Sequence, residues 1–132
     1  MILSTRYEMR PEHLYIEGSG DFSVEQACRL FTEAMEFISG KDVRRILMDA
    51  RQVKGQPGTL EYFRYGEFIA AEIVRFSRVG KIGPLRIAYL ALPPLLDPGR
   101  FTQTVATNRG ATVIATDDMD EAMHWLRIPG GG

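Results

Sequence analysis

The chain has 132 residues, of which 45% are hydrophobic and 25% charged, and its formal net charge is −1. This composition is typical of one globular domain and excludes a disordered or collagen-like chain. A nearly neutral charge gives no bulk electrostatic reason to bind nucleic acid, and no apolar stretch approaches the roughly 20 residues that span a bilayer.

The cysteine content and the N-terminal sequence bear on the cellular compartment. Cys28 is the one cysteine of the chain, which excludes an internal disulfide. Glu8 and Glu12 come early, where an export signal would have a basic segment followed by an apolar run. We therefore expect a cytoplasmic protein with a single domain over residues 1–128 and a flexible glycine tail over residues 129–132.

The N-terminal half has the pattern of a β-hairpin, a helix and a buried strand. Polar and apolar residues alternate over residues 14–17, as in a strand with one wet face, and Gly18-Ser19-Gly20 predicts the end of the hairpin. Ser23 with Gln26 three positions later forms a capping-box pattern. The predicted elements are the strands Ile2–Met9 and His13–Glu17, a helix from Ser23 to about Ser39, the strand Arg45–Ala50 and a loop over Arg51–Gly58.

The C-terminal half alternates helices with short apolar strands. Thr59 is the predicted N-cap of a long helix, Asp97-Pro98 opens the next helix, and Asp117 caps the last one, whose Trp125 we expect to lie against the sheet. The predicted elements are a helix over Thr59–Phe76, the interior strand Leu85–Leu90, an apolar loop Leu92–Leu96, the helix Phe101–Asn108, the strand Ala111–Ala115 and the helix Met119–Leu126. The order β-β-α-β-α-β-α-β-α predicts an α/β fold with a mixed, mostly parallel sheet.

Few residues have the pattern of a catalytic or metal site. His13 and His124 have no partner at metal-ligand spacing, so we predict no metal and no cofactor. Cys28 is predicted to be inert and partly buried. Gly18-Ser19-Gly20 lies where phosphate loops occur but lacks the full glycine fingerprint. The acidic residues 117–121 are explained by helix capping and the helix dipole.

The long helix is apolar on two flanks, whereas packing on a sheet needs one stripe of about 100°. The apolar surface beyond that one stripe predicts either a homodimer interface or an apolar ligand cleft closed by the Leu92–Leu96 loop. The residues proposed to border this site are Tyr62, Phe63, Ile69, Ile73 and Leu95.

A basic segment follows at the end of the same helix. Arg75, Arg78, Lys81 and Arg86 lie within twelve residues. A solvated basic edge that favours the helix dipole explains them, and an anion-binding site at Arg75, Arg78 and Lys81 is the alternative.

With this element order, the chain resembles the SpoIIAA-like group of the STAS superfamily, also described as STAS/SEC14-like. The resemblance covers nearly the whole chain, and the segments that match are Ile46-Leu47-Met48-Asp49-Ala50, Arg86-Ile87-Ala88, Asn108-Arg109-Gly110-Ala111 and Glu121-Ala122-Met123-His124-Trp125-Leu126. The resemblance implies a mixed sheet with helices packed against it. It also implies cytoplasmic bacterial proteins that mostly lack a known activity.

The STAS resemblance implies two kinds of function. Its anti-sigma-factor antagonists switch through a phosphorylatable serine or threonine just after the strand that ends in aspartate. Here Ala50 and Arg51 follow Asp49, so the hydroxyl is missing there and Thr59 is the nearest candidate switch. The lipid-binding relatives use an apolar cavity, which suits the surplus apolar face of the long helix.

Three functional hypotheses follow. The first is a non-enzymatic regulatory or interaction module that acts through protein contact or by binding a small apolar, lipid-like ligand. The second is an enzyme with a dispersed site at Asp49, Arg51 and His124, although no nucleophile–base pair is visible. The third is a phosphoregulated antagonist that is modified at Thr59 or Ser77.

Overall fold

The computed structural model describes residues 1–97 and 99–128. The predicted tail, 129–132, and Pro98 of the predicted helix start lie outside the described residues. Within them, the elements are β1 (Ser4–Met9), β2 (Leu14–Asp21), α1 (Val24–Ile38), β3 (Arg45–Lys54), α2 (Thr59–Arg78), β4 (Arg86–Leu90), α3 (Phe101–Asn108), β5 (Val113–Thr116) and α4 (Met119–Trp125).

The strands form one sheet in the order β1-β2-β3-β4-β5. β1 pairs with β2 antiparallel, and each later pair is parallel. The predicted α/β class, the element order and the N-terminal hairpin are confirmed. So is the interior position of β3 and β4, whose continuous apolar sequence would be costly at an exposed edge.

The two faces of the sheet are covered unequally. α1, α2 and α3 pack on one face over a large core in which Phe31, Met35 and Ile69 are fully or almost fully buried. The short helix α4 covers part of the other face through a smaller core that includes Leu47 and Leu126. Successive side chains of a strand point to opposite faces of the sheet and are therefore buried in different cores.

Two strands are longer than predicted. β2 continues through Gly18-Ser19-Gly20, where the sequence predicts a turn, and β3 continues to Lys54 through the predicted loop. The two extensions pair with each other after an irregularity between Glu17 and Ser19. Gly20 is required there, because its φ is +110° and an added Cβ would lie 2.4 Å from the carbonyl oxygen of Ile2. The glycines therefore belong to the sheet and form no phosphate loop.

The predicted helix starts need small corrections. Ser23 caps α1 as predicted, since its Oγ accepts from the Gln26 amide. The N-cap of α2 is Gly58, so Thr59 is the first helical residue. The cap of α4 is Asp118, whose Oδ1 accepts from two amides of the first turn, whereas the sequence predicted Asp117. In both cases the neighbouring residue has the extended backbone that an N-cap needs.

No helix in the described part of the chain is long and apolar enough to cross a membrane.

Candidate functional site

An apolar cavity of about 150 Å³ lies on the helix-covered face, at the carboxyl end of the parallel strands. Its floor is formed by strand residues such as Ile16 and Met48, and its walls come from residues of α1, α2 and α3. Leu95 and Leu96 of the loop before α3 also line it. The carboxyl end of a parallel sheet is where α/β folds commonly bind ligands, so the position of this cavity makes it the candidate site.

The loop over the cavity is held by α2 and α3. The Tyr62 hydroxyl donates to the Leu95 carbonyl oxygen at 2.7 Å, which ties the loop to the first turn of α2. The Thr102 hydroxyl donates at 3.0 Å to the carbonyl oxygen of Tyr62, so α3 is joined to the same point. Tyr62 therefore joins the Leu92–Leu96 loop to both helices.

Polar side chains gather where α3 meets the cavity. The Asp97 carboxylate accepts from the amides of Gly99 and Phe101, at 3.0 and 2.6 Å. Arg100, at φ +53° in the left-handed region, donates to the carbonyl oxygens of Asp97 and Ala115. A left-handed arginine is uncommon and costs about 1–2 kcal/mol, so these bonds must hold it in place.

Two further tyrosines of the lining bring their hydroxyls together. Tyr65 of α2 and Tyr89 of β4 line the cavity, and their hydroxyl oxygens are 2.9 Å apart. Burial raises the pKa of both phenols above the ordinary value, so both stay protonated at neutral pH. Neither residue was selected from the sequence, because the side chains meet only after β4 is placed beside α2.

The predicted border residues do not all meet at this cavity. Tyr62 and Leu95 line it together. Ile69 is completely buried in the large core, Ile73 packs against that core, and Phe63 packs on Phe101 with ring centroids 6.1 Å apart. Much of the surplus apolar surface of α2 is thus covered by its own neighbours, α1 and α3.

The basic residues at the end of α2 are partly neutralised. Arg75 donates to both carboxylate oxygens of Glu72, at 2.8 and 2.9 Å, and stacks on Phe76. Arg78 lines an open groove beside Arg75, whereas Lys81 lies over Phe76 from beyond the helix end. An anion at this surface would have to compete with Glu72 for the best-placed guanidinium.

The residues of the dispersed enzyme hypothesis fall into two places. Asp49 is 4% exposed and accepts from the Tyr15 hydroxyl at 2.6 Å and from the Arg51 guanidinium at 2.8 Å. Burial alone would raise its pKa, but the bonds from Arg51 and Tyr15 outweigh burial and hold the pKa low. His124 is exposed on α4 and lines a groove with Arg86 and Arg127.

The remaining candidates have no arrangement for catalysis among the described residues. Burial raises the pKa of the Cys28 thiol, which is the opposite of nucleophile activation. No cluster of three potential metal ligands occurs in residues 1–97 and 99–128. Thr59 and Ser77 are exposed at opposite ends of α2, and are therefore accessible to modification.

Comparisons with known proteins identify the fold. No family model matches the sequence, and no curated protein matches it. An anti-sigma factor antagonist from Mycobacterium paratuberculosis has a similar structure, with a TM-score of 0.61 and 15% sequence identity, covering 96% of this chain and 95% of that chain. The fold is SpoIIAA-like. An uncharacterised protein of the DUF3478 family with a SpoIIAA-like fold from Shewanella loihica aligns over 94% of this chain and 93% of that one, with a TM-score of 0.47 and 17% identity.

The comparison confirms the fold that the resemblance implied. The SpoIIAA-like order of strands and helices, with the hairpin first and a helix last, extends over nearly the whole chain. At 15% identity, the similarity establishes the fold and leaves function to the residues of the site.

Proposed function

We propose that this protein is a non-enzymatic regulatory module that binds a small apolar molecule in the cavity beneath the Leu92–Leu96 loop. The observation that supports the proposal is the cavity itself, because most of its lining is apolar and it lies at the carboxyl end of the parallel strands. Burial of apolar ligand surface would contribute about 25 cal/mol for each Å² removed from water.

The Leu92–Leu96 loop links the ligand-binding cavity to the surface of the protein. Leu95 and Leu96 contact the cavity, while Leu92 of the same loop is 45% exposed. A ligand that pushes on Leu95 acts on the Tyr62–Leu95 hydrogen bond and hence on the first turn of α2. The two forms of the module hypothesis, protein contact and ligand binding, are then coupled. The loop is the surface that a protein partner would bind, and the ligand would change its position.

The test uses the whole chain and a cavity-filling variant. Native mass spectrometry of protein purified from cells is expected to show a retained small molecule, and toluene is the probe for added ligand. At a hundredfold excess over Kd, a ligand stabilises by about 2.7 kcal/mol, which raises Tm by roughly 10 °C in a domain of this size. Ala50→Leu fills space beside the cavity and should abolish the rise.

The matched control is Ala71→Leu, the same change on the exposed side of α2 and outside the cavity. It should bind toluene as the wild type does. The proposal fails if the native mass is that of the bare chain and no apolar probe changes the Tm of the wild type.

A second candidate is a protein-contact module regulated by phosphorylation, which the STAS-type fold and the antagonist named above support. Thr59 is exposed as the first residue of a 20-residue helix. A phosphate there would accept from free amides of the first turn and would face the positive end of the helix dipole. Ser77 lies at the opposite end, where the dipole disfavours a phosphate but Arg75 and Arg78 favour it.

Intact-mass measurement of protein purified from its native host tests this candidate. We expect one phosphate that phosphatase removes and that Thr59→Ala abolishes. Ser77→Ala is the control for position. A mass without phosphate under all growth conditions, or a phosphate that persists in both variants, would rule out regulation at these residues.

A homodimer is a further proposal, and it rests on fewer residues of α2 than the sequence analysis named. Leu60 and Val74 are the exposed large apolar residues of α2, at 70% and 36% exposure. Ile69 is fully buried, so Ile69→Lys would test folding and only Val74→Lys or Leu60→Lys would test association.

A further inference from the structure

The mostly apolar lining of the cavity includes a pair of tyrosines whose hydroxyls meet each other. Tyr65 and Tyr89 meet edge to face, with ring centroids 6.0 Å apart and an interplanar angle of 83°, and their hydroxyl oxygens are 2.9 Å apart. Phe22 packs against Tyr65 on another side in a second edge-to-face contact. The rings are thus held by packing while the hydroxyls face each other at the cavity wall.

The hydrogen bonds of this pair leave a donor unused. A phenol has one O–H donor and can also accept, so when one tyrosine donates to the other, the second hydrogen is free. Within the described residues, neither hydroxyl has another hydrogen-bond partner. Thr102 and Gln103, which also line the cavity, already bond to the backbone of Tyr62 and Ala115. The tyrosine pair therefore offers a hydrogen bond to whatever lies in the cavity.

A water molecule is a poor match for this position. Buried waters usually make about three hydrogen bonds, and apolar cavities of similar size remain dry. Here Phe22 packs against Tyr65, and the apolar side chains of Ala34 and Met48 line the same cavity. Beside the pair, a charged ligand group would lose its hydration and gain one neutral donor, which does not compensate for burial of the charge. Arg100, the cation of the lining, already donates to the carbonyl oxygens of Asp97 and Ala115.

The volume limits the size of the ligand. A cavity of about 150 Å³ in another protein takes up benzene. The cavity here is also about 150 Å³, so a single ring or a short branched chain fits it better than a long acyl chain.

We propose that the cavity selects a neutral, ring-sized molecule with one hydrogen-bond acceptor, which accepts from the free hydroxyl of the Tyr65–Tyr89 pair. This inference rests on the proposed apolar-ligand function and names its ligand class. Because either hydroxyl can turn toward the ligand, both tyrosines contribute to the selection.

The experiment compares two probes of matched size, acetophenone with a carbonyl acceptor and cumene without one. Their Kd values are measured by calorimetry on the wild type, on the double variant Tyr65→Phe/Tyr89→Phe, and on Tyr7→Phe. The double variant keeps both rings and removes both hydroxyls, so stability should change little. Tyr7 lies outside the cavity against Phe37 and controls for loss of a hydroxyl elsewhere.

We expect the preference for acetophenone over cumene to fall about three- to tenfold in the double variant, the size of one neutral hydrogen bond. It should be unchanged in Tyr7→Phe. If both probes bind the wild type and the double variant keeps the preference, the ligand class is wrong while the cavity function stands. If neither probe binds the wild type, the proposed function fails and this inference fails with it.

A spectroscopic measurement on the wild type guards against misfolding of the double variant. The carbonyl carbon of labelled acetophenone shifts downfield in NMR when its oxygen accepts a hydrogen bond. Bound acetophenone should show this shift relative to acetophenone in an apolar solvent. Its absence in the bound state would overturn the assignment of the tyrosine pair as donor.

Discussion

The buried polar residues of this protein differ in how well their groups are satisfied. Asp49 receives bonds from Tyr15 and Arg51, and the hydrogen bond to Asp49, added to burial, raises the pKa of Tyr15 to about 12. His13 is 7% exposed, and neither of its ring nitrogens has a hydrogen-bond partner among the described residues. A buried polar group without a partner costs about 1–3 kcal/mol, which makes His13 a weak point of the fold.

His13 should make stability depend on pH. Burial, with Arg10 and Arg45 nearby, lowers the pKa of His13 in the folded state below its ordinary value of 6.5. Between the folded and unfolded pKa values the unfolded chain binds the extra proton. Stability is therefore full above about pH 6.5 and is lost as the pH falls towards the folded pKa, by up to about 1.4 kcal/mol per pH unit.

Urea unfolding of the wild type and of His13→Leu at pH 7.5 and pH 5 measures this effect. The leucine variant should lose less free energy of unfolding over that interval than the wild type. His124→Gln, a change at the exposed histidine, should keep the wild-type pH dependence. An equal loss in the wild type and His13→Leu would show that carboxylates alone govern acid sensitivity.

At the scale of elements, α2 shows why the sequence predicted the fold better than the site. Its two apolar flanks are real, but α1 and α3 lie on either side of it and cover much of both. The close approach to α3 depends on Gly66, where an added Cβ would be 2.8 Å from the Thr102 carbonyl oxygen. Periodicity along one helix reports that a flank is apolar and does not report which neighbour covers it.

The strands show the same limit of local patterns. Gly18-Ser19-Gly20 has turn chemistry, yet it lies in β2 because β3 extends beside it and supplies backbone partners. Twenty-three residues of the chain lie between Tyr65 and Tyr89, and only the placement of β4 under α2 brings their hydroxyls together. The spacing of apolar residues and the order of the elements predict how the strands are arranged and which faces are buried. Contacts between elements that are distant in sequence can be identified only in the assembled fold.

Across the whole molecule, the sheet is held from two unequal sides. Three helices form the large core that carries the cavity, and α4 alone forms the smaller core on the other face. A seven-residue helix is too short to be stable by itself. Its carbonyl groups are held from the sheet, since Arg45 donates to the Leu126 oxygen at 2.7 Å and Arg86 donates to the Trp125 oxygen at 2.8 Å.

The smaller core predicts an order of mutational effects at the end of α4. Leu126 is fully buried, so Leu126→Ala should cost about 2–5 kcal/mol of the free energy of unfolding. Trp125 is half-buried with the Arg86 guanidinium 4.2 Å from its ring centroid, so Trp125→Ala should cost less, about 1–3 kcal/mol. Leu60→Ala on the exposed end of α2 is the matched control and should cost under about 0.5 kcal/mol.

Urea unfolding followed by far-UV circular dichroism measures all three variants, since Trp125 is the one tryptophan of the chain and its loss removes the fluorescence signal. A cost for Leu126→Ala as small as that of Leu60→Ala would mean that α4 detaches readily, and that the large core with its cavity folds without the second face.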